Sequence, residues 1–154
     1  MPASSAGILM YRRTGIAIEV LLVHPGGPFW RNKDAGAWSI PKGEIEPGED
    51  PADVAQREFL EELGSAAGQP LRPLGEIRQR GGKRVIAFAV EGDLDADASS
   101  SNTFEMEWPP KSGRLQSFPE VDRAEWFDLK RAREKILASP QPLLDRLDEA
   151  RAAS

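Results

Sequence analysis

Between Gly43 and Gly64 the chain reads GEIEPGEDPADVAQREFLEELG, and this run constrains the fold more than any other stretch. Its helix signals are local. Asp50 suits an N-cap, Pro51 suits the first helical position, and Asp53 places negative charge in the first turn. Gly64 supplies the stop. At about 100° per residue, Glu58, Glu61 and Glu62 share an arc of roughly 100°. Ala52, Phe59 and Leu63, with Leu60 a little beyond, lie on another arc that should face a core. Glu58 and Glu62 are like charges four residues apart, which costs on the order of a few tenths of a kcal/mol in an isolated helix. The plain account is a solvated acidic face with Arg57 paired to Glu61. The other is a hard divalent cation held among the carboxylates, because Mg²⁺ prefers carboxylate and water oxygens.

The spacing around the helix separates the two. Gly43, then Glu49, then Arg57-Glu58-Phe59-x-Glu61-Glu62-x-Gly64 resembles the Nudix box, G-x5-E-x7-R-E-U-x-E-E-x-G-U with U apolar. Ser65 departs from it where an apolar residue is expected, which touches packing behind the helix rather than the carboxylates. The resemblance implies an α+β chain, folded from about Ala6 to Leu137 as the family's α/β/α sandwich around a mixed sheet. It implies hydrolysis of a diphosphate linkage on a nucleoside, by attack of water on phosphorus. It implies Mg²⁺, or Mn²⁺, held by Glu58, Glu61 and Glu62. Glu58 would also act on the water, and Glu49 would support the site by an indirect metal contact. Arg57 would orient Glu58 or Glu61, and Gly43 would let the backbone approach a metal or phosphate, unless it only makes a positive-φ turn.

The family often recruits another carboxylate from well after the box. Glu105 and Glu107, on one face of an alternating strand, are the candidates, with Glu120 as a weaker alternative. The approach Trp38-Ser39-Ile40-Pro41-Lys42-Gly43-Glu44 resembles that of dinucleoside polyphosphate hydrolases and of members acting on nucleoside triphosphates. These two substrate classes rank above ADP-ribose and nucleotide sugars. A member that only binds nucleotides, as a sensor or regulator, is the alternative. Such members typically lose box glutamates, and this chain keeps all three.

Lys42 is placed to reach phosphate, as is Lys111, and Arg78, Arg80, Lys83 and Arg84 form a basic hairpin tip. Trp30 and Trp108, with Phe29, are candidates to stack on a nucleobase. His24 is the sole histidine and falls in a loop, so no histidine triad or zinc cage can be assembled from this chain. Asp93, Asp95 and Asp97 hint at a calcium loop, but Ala98 and Phe104 stand where glycine and the closing glutamate are required.

The remainder suits one domain over residues 1–154, large enough for a single core. Absence of cysteine suits a reducing compartment such as the cytoplasm. A formal charge of −5 argues against nonspecific DNA binding and leaves a small nucleotide as the partner. No stretch is long enough to span a membrane. The apolar run Gly7–Tyr11 is too short for a signal peptide. Strands are expected at Ala6–Arg12 and Ile16–Val23, a short one at Trp38–Ile40, a hairpin Leu71–Arg80 with Lys83–Glu91, and further strands at Asn102–Trp108 and Ala124–Phe127. Pro109–Arg123 reads as irregular. Asp128 should cap a helix to about Leu137, and Ser139-Pro140 should open another, whose Leu143, Leu144 and Leu147 would pack on the core or on a second subunit of a homodimer.

Overall fold

β1 (Ser4–Thr14) is buried without interruption from Ser5 to Tyr11, the pattern of a strand covered on both faces. A turn with Gly15 at φ 67° leads into β2 (Ala17–Pro25), which pairs antiparallel with the far half of β1, Tyr11 opposite Val20. β3 (Lys42–Glu44) pairs antiparallel with the near half and sets Gly43 opposite Ala6. On the other side β5 (Arg84–Glu91) runs parallel to β1, from Ser4 opposite Arg84 to Tyr11 opposite Glu91. β4 (Arg72–Arg78) and β8 (Val121–Asp128) complete the mixed sheet in the order β4-β5-β1-β2-β8. The computed structural model describes residues 4–79 and 81–152; Arg80 of the basic hairpin tip lies outside them.

One face of this sheet is covered by α1 (Pro51–Leu63), whose Val54, Ala55, Phe59 and Leu63 pack with Ala6, Ile8 and Met10 of β1. The other carries Trp38, α2 (Leu129–Lys135) and α3 (Pro142–Ala152). Leu143, Leu144 and Leu147 are fully buried there, so this stripe is spent on the core. The result is an α+β fold, an α/β/α sandwich around a mixed sheet, as the resemblance implies. No helix among the described residues is long and apolar enough to cross a membrane.

Several expectations are corrected. Leu60 is half exposed, and Val54 and Ala55 fill the core side instead. Periodicity fixes relative angles on a helix but not where its neighbours stand. Residues 109–123 are not irregular throughout, because β7 (Leu115–Pro119) pairs with β6 (Thr103–Glu107) in a separate two-stranded sheet, and β8 begins at Val121. Leu115 is 71% exposed, so β7 carries no alternation and owes its form to its partner. Trp38 and Ser39 make only isolated bridges, to Ile136 and Val23, and the strand of that segment is Lys42–Glu44. The last helix opens at Pro142, after a turn in which the Gln141 N–H donates to the Ala138 carbonyl. His24 belongs to β2, not to a loop, and is buried.

Candidate active site

α1 begins and ends by local chemistry. The Asp50 carboxylate accepts from the Asp53 N–H at 3.2 Å, and Gly64, left-handed at φ 75°, donates its N–H to the Leu60 carbonyl at 2.8 Å. Glu58 leans onto β3. A Cβ added to Gly43 would lie 2.0 Å from the Glu58 carboxyl carbon, so Gly43 is required there for side-chain room. It is not among the glycines at positive φ, and the turn reading of this residue falls.

The acidic face is not uniformly solvated. Glu62 is only 9% exposed, and its Oε2 is buried without a hydrogen-bond partner. Burial first, and then the Glu58 carboxylate, push the Glu62 carboxyl up to about 8, against the opposing pull of Lys42. Burial and Glu61 also raise Glu58, and burial and Glu61 raise Glu120. Lys42, beside Glu62, is lowered by burial and by Lys83. Arg57 pairs with Glu49 and lies 3.7 Å from Glu58 Oε1, so its close ion pairs are with these two rather than with the i+4 partner Glu61. The Glu49 carboxyl is lowered by that guanidinium, and its Oε1 accepts from the Glu46 N–H at 2.9 Å. Both Glu49 oxygens are engaged, which makes it the brace of Arg57.

The donor set fits a hard divalent cation. It offers oxygen ligands, a buried carboxylate oxygen lacking a partner, and carboxyls whose ionisation is penalised until positive charge arrives. Among the described residues no three such groups are already gathered closely enough to hold a metal. Bare carboxylates repel one another, so convergence is not expected of them alone.

A cleft of about 220 Å³ opens beside Glu62 and is walled by Trp30, Lys42, Ser39, Val23 and Glu120. It therefore brings together Lys42, Trp30 and one box glutamate, with a carboxylate from beyond the box. That carboxylate is Glu120. Its backbone carbonyl accepts from the Gly26 N–H at 3.0 Å, and its N–H donates to Asn102 at 2.9 Å. Glu105 and Glu107 share one face of β6 as expected but stand exposed on the smaller sheet, where Glu107 accepts from the Lys111 N–H at 2.7 Å. Neither lines the cleft. Trp108 is not on its wall either; it packs edge-on against Phe29, centroids 5.6 Å apart, next to Trp30 in sequence. Arg84 is taken up by Glu76 in a two-point contact at 2.7 and 3.0 Å. Asp95 caps a 3₁₀ turn over Ala96–Ala98 by accepting from the Asp97 N–H, and Asp93 pairs with Arg12.

A family model for the NUDIX domain matches residues 1–147. The chain is 30% identical over 135 residues to an octanoyltransferase of Myxococcus xanthus, a match covering 88% of this chain and 33% of that protein. It is 34% identical over 62 residues to an RNA pyrophosphohydrolase of Erythrobacter litoralis (strain HTCC2594), covering 40% and 34%. The matched stretch thus spans about a third of the length of either curated relative. A C. elegans Ap4A hydrolase, solved as a binary complex, superposes with a TM-score of 0.66 over 99% of both chains at 22% identity, a likeness of fold alone. With that model matching nearly its whole length, this chain belongs to the Nudix family.

Proposed function

We propose that the protein hydrolyses a diphosphate linkage in a dinucleoside polyphosphate or a (d)NTP, with Mg²⁺ or Mn²⁺ held by Glu58, Glu61 and Glu62. The observation that carries this is Glu62, a buried carboxylate with an unpartnered oxygen at the edge of a cleft. Such a group costs stability unless a ligand satisfies it. The bound cation would neutralise phosphate charge and lower the pKa of a water. The chain's own residues do the rest. Arg57, braced by Glu49, holds the face of Glu58 toward β3, and Gly43 leaves room for it. Glu120 is the companion carboxylate, favoured over Glu105 and Glu107 by its position on the cleft wall. Lys42 offers positive charge to phosphate, and Trp30 an aromatic wall to a base. At about 220 Å³ the cleft has room for one ring or phosphate group, so the rest of a dinucleoside substrate would extend along the surface.

The test is phosphate release from diadenosine polyphosphates, (d)NTPs, ADP-ribose and nucleotide sugars, with and without Mg²⁺, beside Glu62→Gln. Turnover that needs Mg²⁺ and is lost in the variant is expected. Failure on every substrate would favour a domain that only binds nucleotide, and an unimpaired variant would remove Glu62 from the chemistry.

A further inference from the structure

The loop over residues 26–37 brings Trp30 to the cleft without joining any ladder. It is held by turns and by a few bonds to distant residues, among them Gly36 N–H to the Glu134 carbonyl at 3.1 Å. One anchor sits at its root. His24, 1% exposed, lies at a bulge where the register passes from His24 opposite Arg123 to Pro25 opposite Val121. Asp122 is therefore left out of the ladder, which re-aims its side chain. His24 Nδ1 lies 2.8 Å from Asp122 Oδ1, and Nε2 lies 2.6 Å from the Lys33 carbonyl oxygen. Both partners are acceptors, and a neutral imidazole has a single N–H to give. Trp38 stands edge-on to the ring at 5.2 Å and fixes its plane.

We propose that His24, engaged at both ring nitrogens, is the positioning residue that clamps the 26–37 loop to the start of β8. It thereby sets the separation of Trp30 and Glu120 across the cleft. The second tie, from Gly26 N–H to the Glu120 carbonyl, brackets the same corner from the other side. The neighbouring charges are otherwise committed. Lys33 lies over the Trp30 ring at 5.4 Å, Asp34 binds Trp38 Nε1 and Lys135 of α2, and Arg123 lies over the Trp38 ring at 5.1 Å. The consequence for substrate rests on the cleft being the nucleotide site; the clamp itself does not.

The single histidine makes the test direct. ¹⁵N-imidazole NMR of the full chain is expected to show both ring nitrogens hydrogen-bonded, and a nitrogen free of any partner would overturn the proposal. Asp122→Asn keeps an acceptor but removes its charge, and Asp122 is one-third exposed, so the variant is expected to fold where His24→Ala fails. On the substrate that wild type turns over best, Asp122→Asn is expected to raise KM about tenfold, the scale of one charge-assisted hydrogen bond, with kcat within about twofold. Amide hydrogen exchange over residues 26–37 should quicken in the same variant. A folded Asp122→Asn with unchanged KM and unchanged exchange overturns the proposal, as does a fall in kcat and melting temperature with KM untouched. Absence of any Mg²⁺-dependent turnover by wild type would sink the hydrolase reading instead, and the NMR and exchange readouts would still decide the clamp.

Discussion

α1 and the loop across the cleft from it face the same space but are held by opposite means. The signals that start, stop and anchor the helix lie within its own run: the Asp50 cap, Pro51, the Gly64 stop and the Phe59 and Leu63 anchors. The loop's determinants are Asp122, Glu120, Glu134 and the register of β8, all far along the chain. On the proposed function, the wall that would carry the chemistry is locally encoded, while the wall that would meet the substrate is set at long range. Turnover and substrate preference can therefore be altered separately, and substitutions on the two sides should leave different signatures.

The sharpest break is expected from Glu62→Gln. It keeps the size of the buried side chain and removes its charge, so kcat should fall by about 10²–10³-fold, as when one preorganised electrostatic group is lost. Phosphate release measures it, and a rate near that of wild type would mean the helix is not the chemical wall. Gly43→Ala comes next. Its Cβ meets the Glu58 carboxyl group, so about 1–3 kcal/mol of stability should go, and activity should drop with it. Denaturant melts beside single-turnover rates would separate the two losses.

The downstream carboxylates offer a third contrast. Glu120→Gln is expected to lower kcat about tenfold, whereas Glu105→Gln and Glu107→Gln should stay within about twofold, matching their exposure on the smaller sheet. The reverse order would move the companion carboxylate to β6.

A pH scan of metal-free protein tests the electrostatics without turnover. Between an ordinary carboxyl value of 4.5 and about 8, folded Glu62 keeps a proton that the unfolded chain has released. Stability is then greatest below the lower value, falls as pH rises through the window, and levels off above about 8. Glu58, also raised, adds in the same direction. The melting temperature should drop by roughly 5 °C or more across that range. Glu62→Gln should flatten most of the slope, and saturating Mg²⁺ should do likewise. The smallest effect is reserved for Asp50→Ala, which should cost about 1 kcal/mol of stability and leave kcat unchanged.

The same division explains what could be read from the residues alone. The box helix was legible because capping, periodicity and spacing all reside in one run. Leu60 was misplaced because a helical wheel lacks the sheet that decides which arc is covered. Glu105 and Glu107 attracted notice through their alternation, whereas Glu120 carries no local mark; pairing of β8 with β2 brings it to the cleft. His24 looked like a loop residue because its partners, a carbonyl and a carboxylate, are made neighbours only by a bulge. β7 was missed for want of any apolar rhythm.

The parallel pairing of β1 with β5 has a further consequence, for the order of assembly. α1 lies within the connection between those two strands. At 13 residues it is marginal as a helix on its own in water. Its apolar face finds its cover on β1, and β1 finds its parallel neighbour only after β5 has been made. A nascent or truncated chain that stops short of β5 would thus contain every residue of the box and no site. In this protein, possessing the motif and possessing the pocket are separate events, because Glu120, Val121 and Leu137 of the cleft wall all follow β5 in the chain.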